Sequence, residues 1–150
     1  MQSFSWDDNF LTGIKDVDKQ HQFLVDLINT FGNLLLENTV SLADINKLFS
    51  KLADYTVYHF KDEEKCMLEA GIYKQHYDAH ILIHQQFVNE VVAMHNNLSE
   101  GDISEEKISE DSLQAAKDLL NYLTHWLAFH ILGMDQNMAR QAEAIRSGMS

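Results

Sequence analysis

Residues 41–71, SLADINKLFSKLADYTVYHFKDEEKCMLEAG, carry the pattern of one long amphipathic helix. Ser41 is a favourable N-cap residue, and Asp44 three positions later completes a capping-box pattern. Gly71 is a natural C-cap, because glycine readily adopts the left-handed backbone that ends many helices. Between these signals one face is marked by Leu48, Leu52, Tyr55, His59, Met67 and Leu68. The stretch therefore predicts a helix that runs to about Ala70 and buries one side.

Three further stretches show the same helical period. We predict a first helix from near Asp18 to about Glu37, a third from about Lys74 to Leu98, and a fourth from about Ser112 to Leu132. In the first helix the expected inner positions are Phe23, Leu24, Leu27, Ile28, Phe31, Leu34 and Leu35. In the third they are Ile81, His84, Phe87, Val88, Val91 and Val92. In the fourth they are Leu113, Leu119, Leu120, Leu123, Trp126, Leu127 and His130.

The remaining segments predict how the helices are connected. Residues 1–17 lack a sustained period and are expected to form an arm across the bundle, with a bend at Thr12-Gly13. Ser99 to Asp111 is polar and predicts a solvated loop. Gly133 is expected to perturb the fourth helix, and the tail from Asp135 to about Ile145 to be helical. The pattern predicts an all-α, up-down-up-down four-helix bundle with an N-terminal arm and a short C-terminal helix, in a single domain over residues 1–150.

Composition excludes several classes of protein. The chain of 150 residues contains no proline and six glycines, which is little turn punctuation for a β-rich fold. A formal net charge of −12 makes nucleic acid and anionic membranes poor partners. The one cysteine, Cys66, rules out an intramolecular disulfide. The N-terminus does not have the pattern of a signal peptide, and no apolar run is long enough to span a bilayer, so a soluble, cytoplasmic protein is expected.

The histidines are arranged in a pattern that helical geometry makes significant. His59 and Glu63 are four residues apart, and so are His80 and His84, so each pair lies on one helix face beside the apolar residues. Three further candidates are His21 near the start of the first helix, His130 on the inner face of the fourth, and Asp135 five residues later. All four helices therefore direct a potential metal ligand toward one interior.

The combined set predicts a site for two metal ions. Each pair taken singly is a common surface feature, but their joint occurrence on four inner faces is not. Buried imidazoles and carboxylates without partners are unfavourable, and a coordinated metal removes that penalty. Seven ligands are too many for one zinc ion, whereas calcium and magnesium prefer oxygen. Two carboxylates among five imidazoles suit two bridged ions, and imidazole-rich sites favour Fe, Cu, Zn or Ni, so the residues alone leave the metal open.

Four segments also carry a resemblance to the bacterial hemerythrin family over nearly the whole chain. Residues 12–21, TGIKDVDKQH, are similar to the family's entry into its first helix, and residues 59–71, HFKDEEKCMLEAG, to its H-F-x-x-E-E-x-x-M-x-x-x-G motif. Residues 80–87, HILIHQQF, resemble H-x-x-x-H-x-x-F, and residues 126–135, WLAFHILGMD, resemble W-L-x-x-H-I-x-x-x-D. One departure is Gly71-Ile-Tyr, where the family often has Gly-x-Pro.

The resemblance implies a ligand set and a cofactor. One iron would be held by His80, His84 and His130, and a second by His21 and His59, with an open position for dioxygen. Glu63 and Asp135 would bridge the two Fe ions together with an oxo or hydroxo group. The longer connection after Gly71 leaves His76 as a competing ligand, but Phe87 follows His84 as in the family. We expect His95 and His125 to be surface residues or to contact the metal ligands from outside, and Cys66 to be merely packed.

The implied function is reversible dioxygen binding by a carrier, store or sensor. Enzymes that activate dioxygen at di-iron sites in bundles use more carboxylates, whereas this set is mostly neutral imidazole, so we expect no catalytic residues and no enzymatic activity. The alternatives are a di-iron oxidase, peroxidase or nitric-oxide-handling enzyme, and an input domain that senses oxygen or redox state. A sensor needs a signalling or redox partner protein, which the sequence does not identify; the tail after Asp135 and the loop from Asn96 are the segments in which to seek its contact surface.

Overall fold

The fold is a ring of four long helices with a short fifth helix at one end. The structure is a computed structural model that describes residues 4–37, 40–99 and 109–148. Its helices are α1 (Lys15–Leu35), α2 (Leu42–Ala70), α3 (Lys74–Ser99), α4 (Glu110–His130) and α5 (Gln136–Arg146). Helix α1 packs against α2 and α4, and α3 packs against the same two helices from the other side. The all-α four-helix bundle predicted from the sequence is confirmed.

The ends of α2 follow the capping signals in its sequence. The Ser41 hydroxyl accepts from the backbone N–H of Asp44 at 3.1 Å, and the Asp44 carboxylate accepts from the N–H of Ser41 at 3.3 Å. Gly71 ends the helix with a φ of 71°, in the left-handed region that glycine adopts without strain. Each cap contributes about 1 kcal/mol to helix stability. The caps therefore determine where the helix that carries His59 and Glu63 begins and ends.

Helices α1 and α4 begin before the residues expected from periodicity. The Asp18 carboxylate accepts from the backbone N–H and the hydroxyl of Thr12, both at 2.8 Å, so Asp18 lies inside the first turn of α1 and ties the arm to it. Helix α4 is capped by Ser109, whose hydroxyl accepts from the N–H of Ser112 at 3.1 Å. The predicted loop before it falls mostly on residues 100–108, which lie outside the described ranges.

The N-terminal arm packs on the bundle as expected. The side chain of Asn29 in α1 accepts from the N–H of Phe4 at 2.8 Å and donates to its carbonyl at 3.0 Å. Phe4 and Phe10 are buried, and Trp6 stacks on Phe10 with ring centroids 5.3 Å apart. The bend at Gly13 has a φ of 86°. These contacts close one side of the core near the start of α1.

Three residues assigned to inner faces are exposed instead. Their exposed fractions are 40% for Phe23, 64% for Leu68 and 48% for Val92. In each case a sequence neighbour takes the buried position: Leu24, Met67 and Val91. Consecutive residues point about 100° apart around a helix, so an apolar residue at the edge of the stripe can face solvent. None of the helices in the described ranges combines the length and apolar character needed to cross a lipid bilayer.

Candidate metal centre

Seven polar side chains from the four long helices and the segment after α4 meet in the interior of the bundle. They are His21 from α1, His59 and Glu63 from α2, His80 and His84 from α3, His130 at the end of α4, and Asp135 just before α5. Each is at most 5% exposed. The structure therefore brings together all seven residues of the predicted ligand set.

The seven residues form two overlapping groups of four. Within each group, one donor atom from each residue lies within 4.8 Å of the others. The three-histidine group consists of Glu63, His80, His84 and His130, and the two-histidine group consists of His21, His59, Glu63 and Asp135. Glu63 belongs to both groups. The arrangement is that of two adjacent sites that share a ligand.

Each imidazole of the three-histidine group presents its Nε2 atom to the other two residues' rings or to the space between them. Nε2 of His130 lies 3.1 Å from Nε2 of His80 and 3.1 Å from Nε2 of His84. Two metal–nitrogen bonds of about 2.1 Å at a right angle place their nitrogens about 3.0 Å apart. The spacing of His130 from His80 and from His84 therefore suits ring nitrogens that bind the same metal ion.

Each carboxylate turns one oxygen to each group. For Glu63, Oε1 lies 2.9 Å from Nε2 of His80, whereas Oε2 lies 3.4 Å from Nε2 of His59. For Asp135, Oδ1 lies 3.2 Å from Nε2 of His130, whereas Oδ2 lies 3.0 Å from Nε2 of His21. Both carboxylates therefore have the arrangement of bridging ligands.

These contacts leave buried polar atoms unsatisfied. Both oxygens of Glu63, both oxygens of Asp135 and both ring nitrogens of His21 have no hydrogen-bond partner among the described residues. The imidazoles lie close to the carboxylates but not at angles suited to hydrogen bonds. A buried carboxylate without a donor is strongly unfavourable in a protein interior. Unsatisfied oxygens that face a convergent set of ring nitrogens fit a metal-binding role.

The electrostatics of the cluster hold the carboxylates ionised. Burial raises the pKa of Glu63, but contacts with the surrounding imidazoles outweigh it and hold that pKa well below its usual value. Burial and the charge of Glu63 raise the pKa of Asp135, yet His130 and His21 bring it below its usual value. Burial lowers the pKa of His21 and His80, but the two carboxylates outweigh it and raise each to about 9. A cation is therefore favoured among these groups.

A π-helical segment sets the position of Asp135. Residues Ile131–Asp135 form this wider turn between α4 and α5, and Gly133, which was expected to perturb the helix, lies within it. Five residues of α-helix would turn Asp135 about 140° away from His130. A π-helical turn bonds residues five apart and returns Asp135 to the side of His130. The spacing of five residues between His130 and Asp135 thus places both on one side of the helix because the backbone between them is π-helical.

Outer partners of the histidines were not recognised from the sequence. Nδ1 of His59 lies 2.6 Å from the amide oxygen of Gln20, and Nδ1 of His84 lies 2.9 Å from the carboxylate of Glu64. Such partners fix which ring nitrogen carries the hydrogen and orient the ring. Gln20 and Glu64 each adjoin a candidate ligand in the sequence. Their position within the quoted motifs was the signal that could have identified them.

The other histidines lie outside both groups. His76 contacts Nδ1 of His80 at 2.9 Å, on the opposite side of that ring from the cluster. His95 contacts the side chain of Asn46 at 2.8 Å, and exposed His125 contacts the carbonyl oxygen of Asn121 at 2.8 Å. His76 is thus an outer neighbour of the cluster rather than a member of it.

Aromatic rings close the cluster on one side. Phe60 stacks on His84 with centroids 3.8 Å apart and planes 5° apart. Trp126 stacks on His130 with centroids 4.4 Å apart, and Phe87 stacks on Trp126 at 3.8 Å. The stacked rings cover this side of the three-histidine group and restrict the rotation of the His84 and His130 rings.

Comparison with known proteins agrees with this geometry. The family model described as the hemerythrin HHE cation binding domain matches residues 12–142, which include all seven clustered residues. A bacteriohemerythrin of Pseudomonas aeruginosa is 31% identical over 150 residues, covering 100% of this chain and 86% of the relative. One of Stenotrophomonas maltophilia is 30% identical over 93% of this chain and 81% of the relative, and one of Clostridium acetobutylicum is 29% identical over 89% and 96%. The chain therefore belongs to the hemerythrin family.

Proposed function

We propose that the seven clustered residues hold two iron ions and that the protein binds dioxygen reversibly at this pair, as a carrier, store or sensor. The observation that carries the proposal is the division of each carboxylate between the two groups. Glu63 and Asp135 each turn one oxygen toward the three-histidine group and the other toward the two-histidine group. A single ion would not use both oxygens of both carboxylates in this way.

The two groups offer different numbers of donors. The three-histidine group has three ring nitrogens and an oxygen of Glu63, and Oδ1 of Asp135 lies beside it, 3.0 Å from Nε2 of His80 and 3.2 Å from Nε2 of His130, as a fifth donor. The two-histidine group has two ring nitrogens and one oxygen from each carboxylate, which makes four donors. An iron ion in the two-histidine group therefore has one protein ligand fewer. That difference supports binding of an external ligand on the side of His21 and His59.

The chemistry of the donors favours binding over substrate oxidation. When bound, a reduced pair of iron ions supplies the electrons for reversible dioxygen binding. Five neutral imidazoles and only two carboxylates stabilise high oxidation states less than the carboxylate-rich sites of di-iron enzymes do. The protein's own part is to orient the ring nitrogens, hold the two carboxylates ionised and exclude water. We infer a binding protein rather than an enzyme.

The surroundings of the site support the same role. Phe60 and Trp126 stack on ligand rings, and Leu127 and Ile131 are buried nearby in the core. An apolar wall slows the entry of water and protons, which would otherwise promote irreversible oxidation. We also propose that residues 1–150 form one domain around this centre, because the arm, the four long helices and α5 all pack on the same bundle.

A gas-cycling experiment tests the function. The protein is loaded with Fe²⁺, reduced without air, and then exposed alternately to air and argon while the visible spectrum and iron content are recorded. The expected result is two irons per chain and an absorption band that appears with dioxygen and fades when it is removed. Irreversible bleaching, or continuous dioxygen consumption with added reductant, would replace the binding role with an enzymatic or redox-sensing one.

A further inference from the structure

On the side away from the cluster, His59 contacts Gln20, which in turn contacts Asp62. Gln20, only 7% exposed, places its amide oxygen 2.6 Å from Nδ1 of His59. The amide nitrogen of Gln20 donates to a carboxylate oxygen of Asp62 at 2.7 Å. Gln20 lies on α1, whereas His59 and Asp62 lie on α2, so the chain of contacts also links the two helices.

The direction of each hydrogen bond follows from what each group can donate. An ionised carboxylate only accepts, so Asp62 must face the amide nitrogen of Gln20 and turns the amide oxygen toward His59. That oxygen also only accepts, so Nδ1 of His59 must carry the hydrogen. Nε2 of His59 then keeps its lone pair, on the side where it lies 3.4 Å from the carboxylate of Glu63.

We propose that Asp62 is a positioning residue for the two-histidine group: through Gln20 it selects the ring form of His59 whose Nε2 can bind metal. The inference rests on the proposed two-metal site and adds a residue that touches no ligand directly. Without a fixed acceptor at position 62, the Gln20 amide can rotate and offer N–H to His59. His59 would then carry its hydrogen on Nε2, which cannot bind a metal.

The three-histidine group is arranged differently. There the carboxylate of Glu64 contacts Nδ1 of His84 directly, at 2.9 Å, with no amide between them. An imidazole bonded to an anion is a stronger electron donor than one bonded to a neutral amide. Asp62 thus fixes the ring form of His59 through Gln20, and the group in direct contact with the His59 ring is a neutral amide rather than a carboxylate.

Anaerobic Fe²⁺ titration against a competing chelator tests the proposal, with Asp62→Asn as the main variant. The substitution preserves the size of the side chain, but the new amide can present either an oxygen or an N–H to Gln20. The expected result is that one of the two binding steps weakens by about 3–10-fold while the other changes by less than about twofold. Gln20→Met, which removes the direct partner, is expected to weaken the same step by about 10–100-fold.

The matched control is Asp54→Asn, an exposed residue of the same helix that loses the same charge. Both of its binding steps are expected to equal those of the wild type. A second measurement uses the zinc-loaded, ¹⁵N-labelled protein and follows solvent exchange of the ring N–H groups by NMR. Asp62→Asn should accelerate exchange at His59 and not at His84, whereas Glu64→Gln should do the reverse.

The outcomes separate this inference from the proposed function. If the wild type binds two Fe²⁺ and Asp62→Asn matches Asp54→Asn in both binding steps and in His59 exchange, Asp62 has no positioning role. A general weakening of both steps with lowered thermal stability would likewise show a purely structural role. If the wild type binds fewer than two Fe²⁺, the proposed function is overturned and this inference falls with it.

Discussion

The Nε2 atoms of His80 and His130 lie 3.1 Å apart, although 50 residues separate the two histidines along the chain. Two ring nitrogens that both present lone pairs at this distance repel each other, so a proton or a metal ion is needed between them. His84 repeats the same 3.1 Å approach to His130. The folded bundle thus brings together ring nitrogens that need a shared hydrogen or a shared metal ion between them.

Removal of metal is therefore expected to destabilise the protein. At a free metal concentration about 100 times its Kd, binding adds about 2.7 kcal/mol, which corresponds to a Tm difference of about 5–10 °C for a chain of this size. Calorimetry of the iron-loaded protein before and after chelation measures the difference. Reloading with Fe²⁺ is the control and should restore the original Tm; equal values for the two forms would argue against a bound metal.

Loss of one histidine ligand should remove one ion selectively. His130→Ala takes away a residue that belongs to the three-histidine group alone, and iron content is expected to fall from about two to about one per chain. His125→Ala, an exposed histidine of the same helix, serves as the control and should retain both irons. Iron analysis and circular dichroism together distinguish loss of metal from loss of fold. Equal iron content in the two variants would contradict the ligand assignment.

Substitution of a bridging carboxylate should affect both ions. Glu63→Gln removes a charge whose two oxygens face different groups, so both metal-binding steps are expected to weaken by at least about tenfold. The matched control is Glu69→Gln, an exposed residue of α2 whose nearest cation is Lys65 at 3.9 Å. Competitive titration checks the result. If Glu63→Gln weakened only one step, the carboxylate would not bridge.

Metal uptake should release protons at neutral pH. His21 and His80 have pKa values raised to about 9 in the metal-free cluster, so both are protonated at pH 7, whereas a metal binds only the unprotonated ring nitrogen. Loading at pH 7 is expected to release about two protons per chain from these residues, and affinity should fall as pH falls. Titration calorimetry with Zn²⁺ in buffers of different ionisation enthalpy measures the release. A value near zero would show that the two histidines are neutral before binding.

The aromatic wall should protect the oxygenated protein. Phe60→Leu removes the ring that stacks on His84, and is expected to lower the free energy of unfolding by about 1–3 kcal/mol. It should also admit water and hasten loss of the oxygenated spectrum to the oxidised form. Phe129→Leu alters a side chain that is 75% exposed on α4 and should leave both properties unchanged. Identical decay rates in the two variants would show that the wall does not control oxidation.

Local patterns predicted most of the helices because their causes are local. The capping residues Ser41, Asp44 and Gly71 act within one turn of the chain, and each was identified correctly from the sequence. Periodicity alone does not settle the rotation of a helix, so residues at the edges of the predicted inner faces were assigned wrongly. Phe23 is an example: it adjoins the buried stripe but faces solvent, where its ring lies 4.3 Å from that of Tyr55.

The sequence by itself determined that four amphipathic helices would form and that each would place a histidine or carboxylate on or near its apolar side, because a spacing of four matches the helical turn. Only the tertiary structure decided how those side chains meet. The division of Glu63 and Asp135 between two groups depends on helices packed from distant parts of the chain and on the π-helical segment before Asp135. The link from Asp62 through Gln20 spans 42 residues and depends on the rotation of α1 against α2. Helical periodicity fixes the direction of a side chain within its own helix, but contacts between helices are set by the packing of the whole core.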